Sequence, residues 1–260
     1  MRTAVWASED HGQERAMRLS RTLSLPLTTR SQTDQWELII ECASQGLVLR
    51  DMRIPRLKPI GVEFDIRARR RVNSRRNPMA RAMGKKTHTV VDATAGFGDD
   101  AWRLVCMGYQ VIAMERSPLI GALLEDARQR LLDTGEKFAK HCFQIILGDA
   151  RELLQQLCSR PDVVYIDTMF PPKRKSSALA RRKLRLLREI VGDDNDVELL
   201  FRAALNKAKR RVVVKRPTYA SPLMVAPVVA FSGKLARYDV YHACHRQQDP
   251  GRLHSINSPT

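Results

Sequence analysis

The sequence is short of acids, of paired cysteines and of long apolar runs, and each shortage removes a class of protein. No uninterrupted apolar segment approaches the roughly 20 residues that a helix needs to cross a bilayer, so no membrane partner is expected. The opening run Met1-Arg2-Thr3-Ala4-Val5-Trp6 is interrupted by Ser8, Glu9 and Asp10 before it can form the apolar core of a secretory signal, and a cytoplasmic address is expected. Cys42, Cys106, Cys142, Cys158 and Cys244 are scattered, odd in number and without a C-x-x-C pair, which speaks against a disulfide framework and a zinc site. His242, Cys244 and His245 lie together with no fourth ligand in view, so no metal is expected.

The scarcity of acids is the loudest of these features. Against 45 Lys and Arg stand 28 Asp and Glu, a formal charge of +17. Such a surplus favours polyanions through counterion release, and its uneven distribution points to a nucleic-acid footprint. From Arg67 to Lys86 there is no acid at all, while Arg67, Arg69, Arg70, Arg71, Arg75 and Arg76 precede Arg81, Lys85 and Lys86. Asn73-Ser74 and Asn77-Pro78 break any helix, so this segment reads as a loop turning helical near Met79. A solvated linker would repel itself at this charge, whereas the guanidinium fork matches phosphate. A second block contains Lys173, Arg174 and Lys175 and runs to Arg188, and Lys215-Arg216 adds two cations at a strand end. These are the candidate nucleic-acid contacts.

What is present at the centre of the chain is an apolar run breaking into a glycine turn: Thr89-Val90-Val91-Asp92, then Ala95-Gly96-Phe97-Gly98, then Asp99-Asp100. Without a Cβ at Gly96 and Gly98 the backbone can approach a ligand closely. A dinucleotide fingerprint would place a pyrophosphate on the following helix, which Asp99 and Asp100 would repel. Two acids suit instead a cofactor with cationic groups, and S-adenosylmethionine carries a sulfonium and an ammonium. Glu115, closing the next apolar run, can accept hydrogen bonds from ribose hydroxyls with either cofactor.

Beyond the turn, apolar strands alternate with amphipathic helices: strands at Tyr109–Glu115, Phe143–Leu147, Val163–Asp167 and Arg211–Lys215, helices between them. This predicts an α/β fold with a parallel, Rossmann-like sheet and ligands beyond the carboxyl ends of its strands. Asp92, Glu115, Asp149 and Asp167 each close or follow one such strand and are expected on one rim. Asp149 is placed to accept from an adenine amine, or to cap the helix starting at Ala150-Arg151. The predicted organisation is a small α/β subdomain over 1–60, a basic connecting segment over 61–88, the cofactor domain over 89–245 and a polar, disordered tail over 246–260.

After the fourth of these strands comes Asp167-Thr168-Met169-Phe170-Pro171-Pro172. Methyl transfer to an exocyclic base amine needs an acceptor for the amine and an aromatic face for the base. Asp167 and Phe170 supply them. A proline-stiffened turn without catalytic meaning is the alternative for this hexapeptide.

Asp92-Ala93-Thr94-Ala95-Gly96-Phe97-Gly98, Glu115-Arg116-Ser117-Pro118, Val164 to Pro171 and Arg211 to Pro217 together resemble the bacterial ribosomal RNA small subunit methyltransferase J family. The resemblance implies a class I S-adenosylmethionine-dependent methyltransferase fold and methylation of guanosine N2 in 16S rRNA, free or within the small subunit. It carries the family's cofactor contacts onto Asp99, Asp100, Glu115, Arg116, Ala150, Arg151 and Asp167. Two departures stand out: Asp99 where the family usually has arginine, and Thr168 where it usually has proline. Another nucleic-acid amine as acceptor, or an RNA-binding protein that retains the fold without turnover, are the competing readings, and a monomer is the expected state. Replacing three arginines between Arg67 and Arg76 is expected to flatten the salt dependence of RNA binding, measured by titration across salt concentrations; an unchanged slope would make the segment a linker.

Overall fold

The structure, a computed structural model, describes residues 1–9, 12–54, 56–68, 77–167, 178–192, 196–234 and 236–244, leaving aside the side chains of 137 and 178–181. The chain forms two sheets. The first takes β1 (Thr3–Ala7), β2 (Leu38–Ala43), β3 (Gly46–Asp51) and β4 (Ile60–Gly61) in that order. β1 and β2 are parallel and the remaining pairs antiparallel. Helix α1 (Gln13–Leu23) packs on β1 and β2 and ends at Ser24, whose left-handed φ of 51° releases the chain.

The second sheet holds β5 (Thr89–Asp92), β6 (Gln110–Glu115), β7 (Phe143–Leu147), β8 (Val163–Asp167), β9 (Arg211–Arg216), β10 (Val229–Ser232) and β11 (Arg237–His242), in the order β10-β11-β9-β8-β5-β6-β7. The five strands from β5 to β9 are parallel, and β11 returns antiparallel to β9. The chain winds outward from β5 to β7 and then re-enters on the other side of β5 as β8, so the winding reverses between β5 and β8. In such sheets the crevice at that reversal is where ligands bind. The predicted alternation therefore holds for the parallel core, and β10 and β11 close the sheet as an antiparallel pair.

Strand periodicity explains the two faces. Val90, Val111, Ala113, Tyr165 and Val213 point to one cluster and Val91, Met114, Val164, Ile166, Val212 and Val214 to the other. The helices are α2 (Pro78–Met83), α3 (Asp99–Cys106), α4 (Pro118–Asp133), α5 (Lys137–Cys142), α6 (Ala150–Gln156), α7 (Ala178–Val191) and α8 (Val197–Lys207). α6 and α8 cover the second face. The first face is shared: Val5, Leu38 and Ile40 of the small sheet belong to one core with Trp102, Leu123 and Phe143 of the large one. Phe64 stacks there 5.2 Å from Trp102 and edge-on 5.1 Å from Phe143.

Polar contacts fasten the two sheets, two of them through buried carboxylates. Asp126 on α4, its side chain 5% exposed, accepts from the Leu47 N–H at 2.9 Å and pairs with Arg130 and with Arg15 of α1. Beyond β3, Arg53 bridges Asp51 and Glu189, 2.6 Å away on α7.

A third carboxylate stitches the far end of the large sheet. Asp162 accepts the His88 N–H at 2.9 Å and the Thr89 N–H at 3.2 Å, and pairs with Arg210 at 3.1 Å. Burial works to raise its pKa, but these donors outweigh it and hold the carboxyl below its ordinary value. Asp162→Ala should cost about 2 kcal/mol of stability at neutral pH by urea unfolding. Because the folded-state value is depressed, the gap to wild type should close as pH falls below the ordinary carboxylate range.

Candidate functional site

The glycine turn between β5 and α3 is built by its own backbone. Ala95 N–H donates to the Met114 carbonyl at 3.0 Å and Gly98 N–H to the Ala95 carbonyl at 2.8 Å. Gly96 and Gly98 have φ of 53° and 77°. Glu115, at the exit of the adjacent strand, takes the Gly96 N–H on Oε2 and the Ser117 N–H on Oε1, both at 2.8 Å. One carboxylate thus locks the turn to the neighbouring strand end. It is 4% exposed, and burial pushes its pKa up despite its backbone N–H donors.

Above this turn opens a cleft that is open to solvent on one side. Its floor is Ala93, Thr94, Gly96 and Met114, and its sides carry Glu115, Asp149 and Asp167. Leu187 and Val191 from α7 and Val197 and Leu200 from α8 make an apolar wall. Leu187 leans so close that a Cβ built on Gly96 would lie 3.0 Å from it. Along the rim runs an ion-pair chain. Arg151 pairs with Asp149, its Nε 2.9 Å from Oδ1, and with Asp196 at 3.3 Å, and Arg116 reaches Asp196 at 3.4 Å. Asp149 also accepts the Arg151 N–H at 2.8 Å as the cap of α6.

At the inner end, where the winding reverses, lies a second polar cluster. Lys215 Nζ stands 2.7 Å from Asp167 Oδ2 and 2.6 Å from Asp100 Oδ2. The buried Tyr165 hydroxyl donates to the same Asp100 oxygen at 2.7 Å, and the Asp167 N–H donates to Thr94 Oγ1 at 2.7 Å. Burial opposes the Lys215 charge, but Asp167 and Asp100 overcome it and raise the pKa above the ordinary lysine value. Burial would likewise raise Asp100, yet the Lys215 ammonium with the Lys215 and Tyr165 hydrogen bonds brings it below the ordinary carboxylate value. Asp92, 1% exposed, has only the Thr94 N–H as a described hydrogen-bond donor, and burial, with Asp100 and Asp167 nearby, pushes its pKa up to about 8.

The structure brings together Gly96, Glu115, Arg116, Asp149, Ala150, Arg151 and Asp167 around one cleft. Several other expected positions serve different ends. Asp99 has its side chain 72% exposed, 3.7 Å from Lys183, because the first turn of α3 points it outward. Asp100 points inward to Lys215 and Tyr165 and does not line the cleft, and Asp92 lies beneath the rim. Gly98 is needed for packing: a Cβ there would meet Leu124 at 2.7 Å and Phe64 at 3.2 Å. Lys215, expected to meet phosphate, is held by carboxylates. Arg216, 8% exposed, spends its guanidinium on the Ser221 carbonyl at 2.6 Å. Arg67 is exposed, while Arg69, Arg70, Arg71, Arg75, Arg76, Phe170, Lys173, Arg174 and Lys175 lie outside the described residues, as does the tail over 246–260. Among the described residues no His, Cys, Asp or Glu group is arranged to hold a metal ion, and no helix is long and apolar enough to cross a membrane.

Asp196, Leu187, Val191, Val197 and Leu200 were not marked by any sequence motif. Asp196 reads as a helix cap, but its side chain makes no cap bond and turns to the arginines of the rim.

A family profile described as "Putative SAM-dependent methyltransferase" matches residues 21–243. The ribosomal RNA small subunit methyltransferase J of Thioalkalivibrio sulfidiphilus (strain HL-EbGR7) is 40% identical over 250 residues, covering 91% of this chain and 95% of that protein. The protein of the same name from Coxiella burnetii (strain RSA 331 / Henzerling II) is 39% identical over 234 residues, covering 87% and 91%. The crystal structure of a SAM-dependent methyltransferase from Neisseria gonorrhoeae matches with a TM-score of 0.70 at 28% identity, covering 92% of this chain and 96% of that one.

The raised pKa of Asp92 carries a stability signature. The folded protein holds that proton more tightly than the unfolded chain, so its contribution is full below about pH 4 and is lost as pH rises through about 8. Asp92→Asn should therefore flatten the fall of the melting temperature between pH 6 and about 9, followed by thermal unfolding in matched buffers.

Proposed function

The chain belongs to the ribosomal RNA small subunit methyltransferase J family of SAM-dependent methyltransferases, and from that membership we propose that it methylates the exocyclic N2 of a guanosine in 16S rRNA. S-adenosylmethionine is the methyl donor. The observation that carries the reading is the placement of Glu115 and Asp167 on one cleft at the reversal of the sheet.

The cleft residues fit the donor. Gly96 leaves room where a side chain would collide with Leu187, and Glu115 presents a carboxylate already oriented by two N–H donors, suited to ribose hydroxyls. Asp149 and the Ala150 backbone would meet the adenine, and Leu200 and Val197 supply an apolar face. When bound, the donor supplies an electrophilic methyl group. Asp167 would accept a hydrogen bond from the acceptor amine, steering its lone pair out of conjugation with the ring. It would then take the proton released as the N–C bond forms. No covalent enzyme intermediate is needed, so positioning supplies most of the rate. The basic segment around Arg67 to Arg76 and the block from Lys173 to Lys175 are the proposed RNA contacts, and a cytoplasmic monomer is the proposed working form.

Nucleoside mass spectrometry of 16S rRNA with and without the gene tests the acceptor: loss of N2-methylguanosine supports the reading, and loss of a different methylated nucleoside overturns it. In the purified enzyme, Asp167→Ala should lower transfer to unmodified small subunits at least about 100-fold while S-adenosylmethionine affinity by calorimetry stays within about threefold. Glu115→Ala should weaken that affinity by about tenfold or more. Wild-type turnover in Asp167→Ala would remove the assigned role.

A further inference from the structure

Helix α7 serves two sides of the molecule. On one side Leu187 and Val191 enter the cleft wall, and on the other the helix holds the chain that joins β3 to β4. Arg182 donates to the Lys58 carbonyl, and Glu189, about two turns further on, takes Arg53 at 2.6 Å. The joining segment is thereby laid along the outer face of the helix.

The charges on this surface do not cancel. Its acids Asp51 and Glu189 are both occupied: Arg53 stands 2.8 Å from the first and 2.6 Å from the second, and Arg185 reaches them at 3.8 and 3.7 Å. Glu37, near Arg53, accepts the Arg2 backbone N–H at 2.6 Å. Arg56 and Lys58 are exposed and, among the described residues, neither has a carboxylate partner. Arg182 spends its guanidinium on a neutral carbonyl, which leaves its charge uncancelled as well. Between Asp51 and Glu63 the chain has no acid, and Glu63 already lies past β4. Arg56 also has a left-handed φ of 62°, a strained conformation of the kind that collects at ligand contacts.

We propose that the segment between β3 and β4, backed by the outer face of α7, is a docking surface for the sugar-phosphate backbone of the 16S rRNA, with Arg56 and Lys58 as its phosphate contacts. This rests on the reading of the chain as a 16S rRNA methyltransferase. Cations without acid partners gain most from a polyanion through counterion release, whereas Arg53 and Arg185 are already neutralised. The small sheet then takes part in holding the substrate. Because Leu187 and Val191 line the cleft from the same helix, RNA held here lies beside the cleft and makes no contact with the methyl donor. The surface therefore governs how tightly the substrate is held and leaves the transfer step to the cleft residues.

The test compares wild type with Arg56→Asn/Lys58→Gln, with Arg56→Asp/Lys58→Glu, and with Lys140→Gln/Lys209→Gln, which removes two exposed lysines beside the starts of β7 and β9, at the edge of the large sheet opposite the cleft. Asparagine is chosen at position 56 because it tolerates the left-handed backbone. Binding to unmodified small subunits is titrated between about 0.05 and 0.2 M salt. KM and kcat for methyl transfer are measured alongside, with S-adenosylmethionine affinity by calorimetry as the folding control. Arg56→Asn/Lys58→Gln should weaken binding about tenfold or more at about 0.1 M salt and reduce the slope of log affinity on log salt by about 1.5. KM should rise in step, while kcat and donor affinity stay within about twofold of wild type. Arg56→Asp/Lys58→Glu should bind more weakly still, and Lys140→Gln/Lys209→Gln should stay within about twofold of wild type. An unchanged slope and KM in both Arg56 and Lys58 variants, or an equal loss in the lysine pair of the opposite edge, overturns the proposal. The slope needs no turnover, so the two readings separate. Small subunits that wild type binds through Arg56 and Lys58 but leaves unmethylated would end the acceptor reading alone. Small subunits methylated equally well by all variants would end the docking surface alone.

Discussion

Carboxylates gathered this closely, some buried and some half-exposed, must be bridged, hydrogen-bonded or protonated, and the ligand end of this protein is shaped by that demand. Each acid meets it differently. Glu115 takes two backbone N–H groups, Asp149 and Asp196 share two arginines, Asp100 and Asp167 share one lysine, and Asp92 keeps its proton. Because the compensating groups are fixed, the acids are fixed as well. A cleft whose charges are held before the ligand arrives loses little free energy in arranging them afterwards.

The same logic explains why the site sits where it does. Parallel strands bring all their carboxyl ends to one edge, and the reversal between β5 and β8 leaves a gap there that helices do not fill. α7 covers part of the gap with Leu187 and Val191, while its Glu189 is held by Arg53 from the other sheet. The small sheet is therefore part of what positions the wall of the cleft, although among the described residues it contributes none to the lining. Its role was not legible from residues 1–60, which carry no chemical constellation.

Much of the large sheet was readable because its strands are short apolar runs, and β5, β6, β7 and β8 each end in an acid or run into a glycine. The turn at Gly96 and the carboxylates Glu115, Asp149 and Asp167 were found by that rule. The differences from the expected placement share a cause, which is that sequence gives position along an element but not the direction of a side chain. Asp99 and Asp100 are neighbours, yet one helical step turns the first to solvent and the second into the core. Gly98 looks like a ligand glycine, but its missing Cβ makes room for Phe64 and Leu124. Lys215 and Arg216 look like a phosphate-binding pair, and strand alternation sends one to the acids and the other to the Ser221 carbonyl. Leu187 and Val191 could not be marked at all, since an apolar helix face is silent about whether it covers a core or a ligand.

The tie at Asp126 has a bearing on how the molecule can vary. Arg15 and the Leu47 N–H come from the small sheet and its helix, whereas Arg130 is a local neighbour on α4. A version of the chain trimmed of its first fifty or so residues, an order-of-magnitude length, would strand that acid with a single arginine beside newly wetted apolar surface. Shortening at the front is therefore coupled to changes in the middle of α4, so the first sheet acts as a brace for the helix that backs the second.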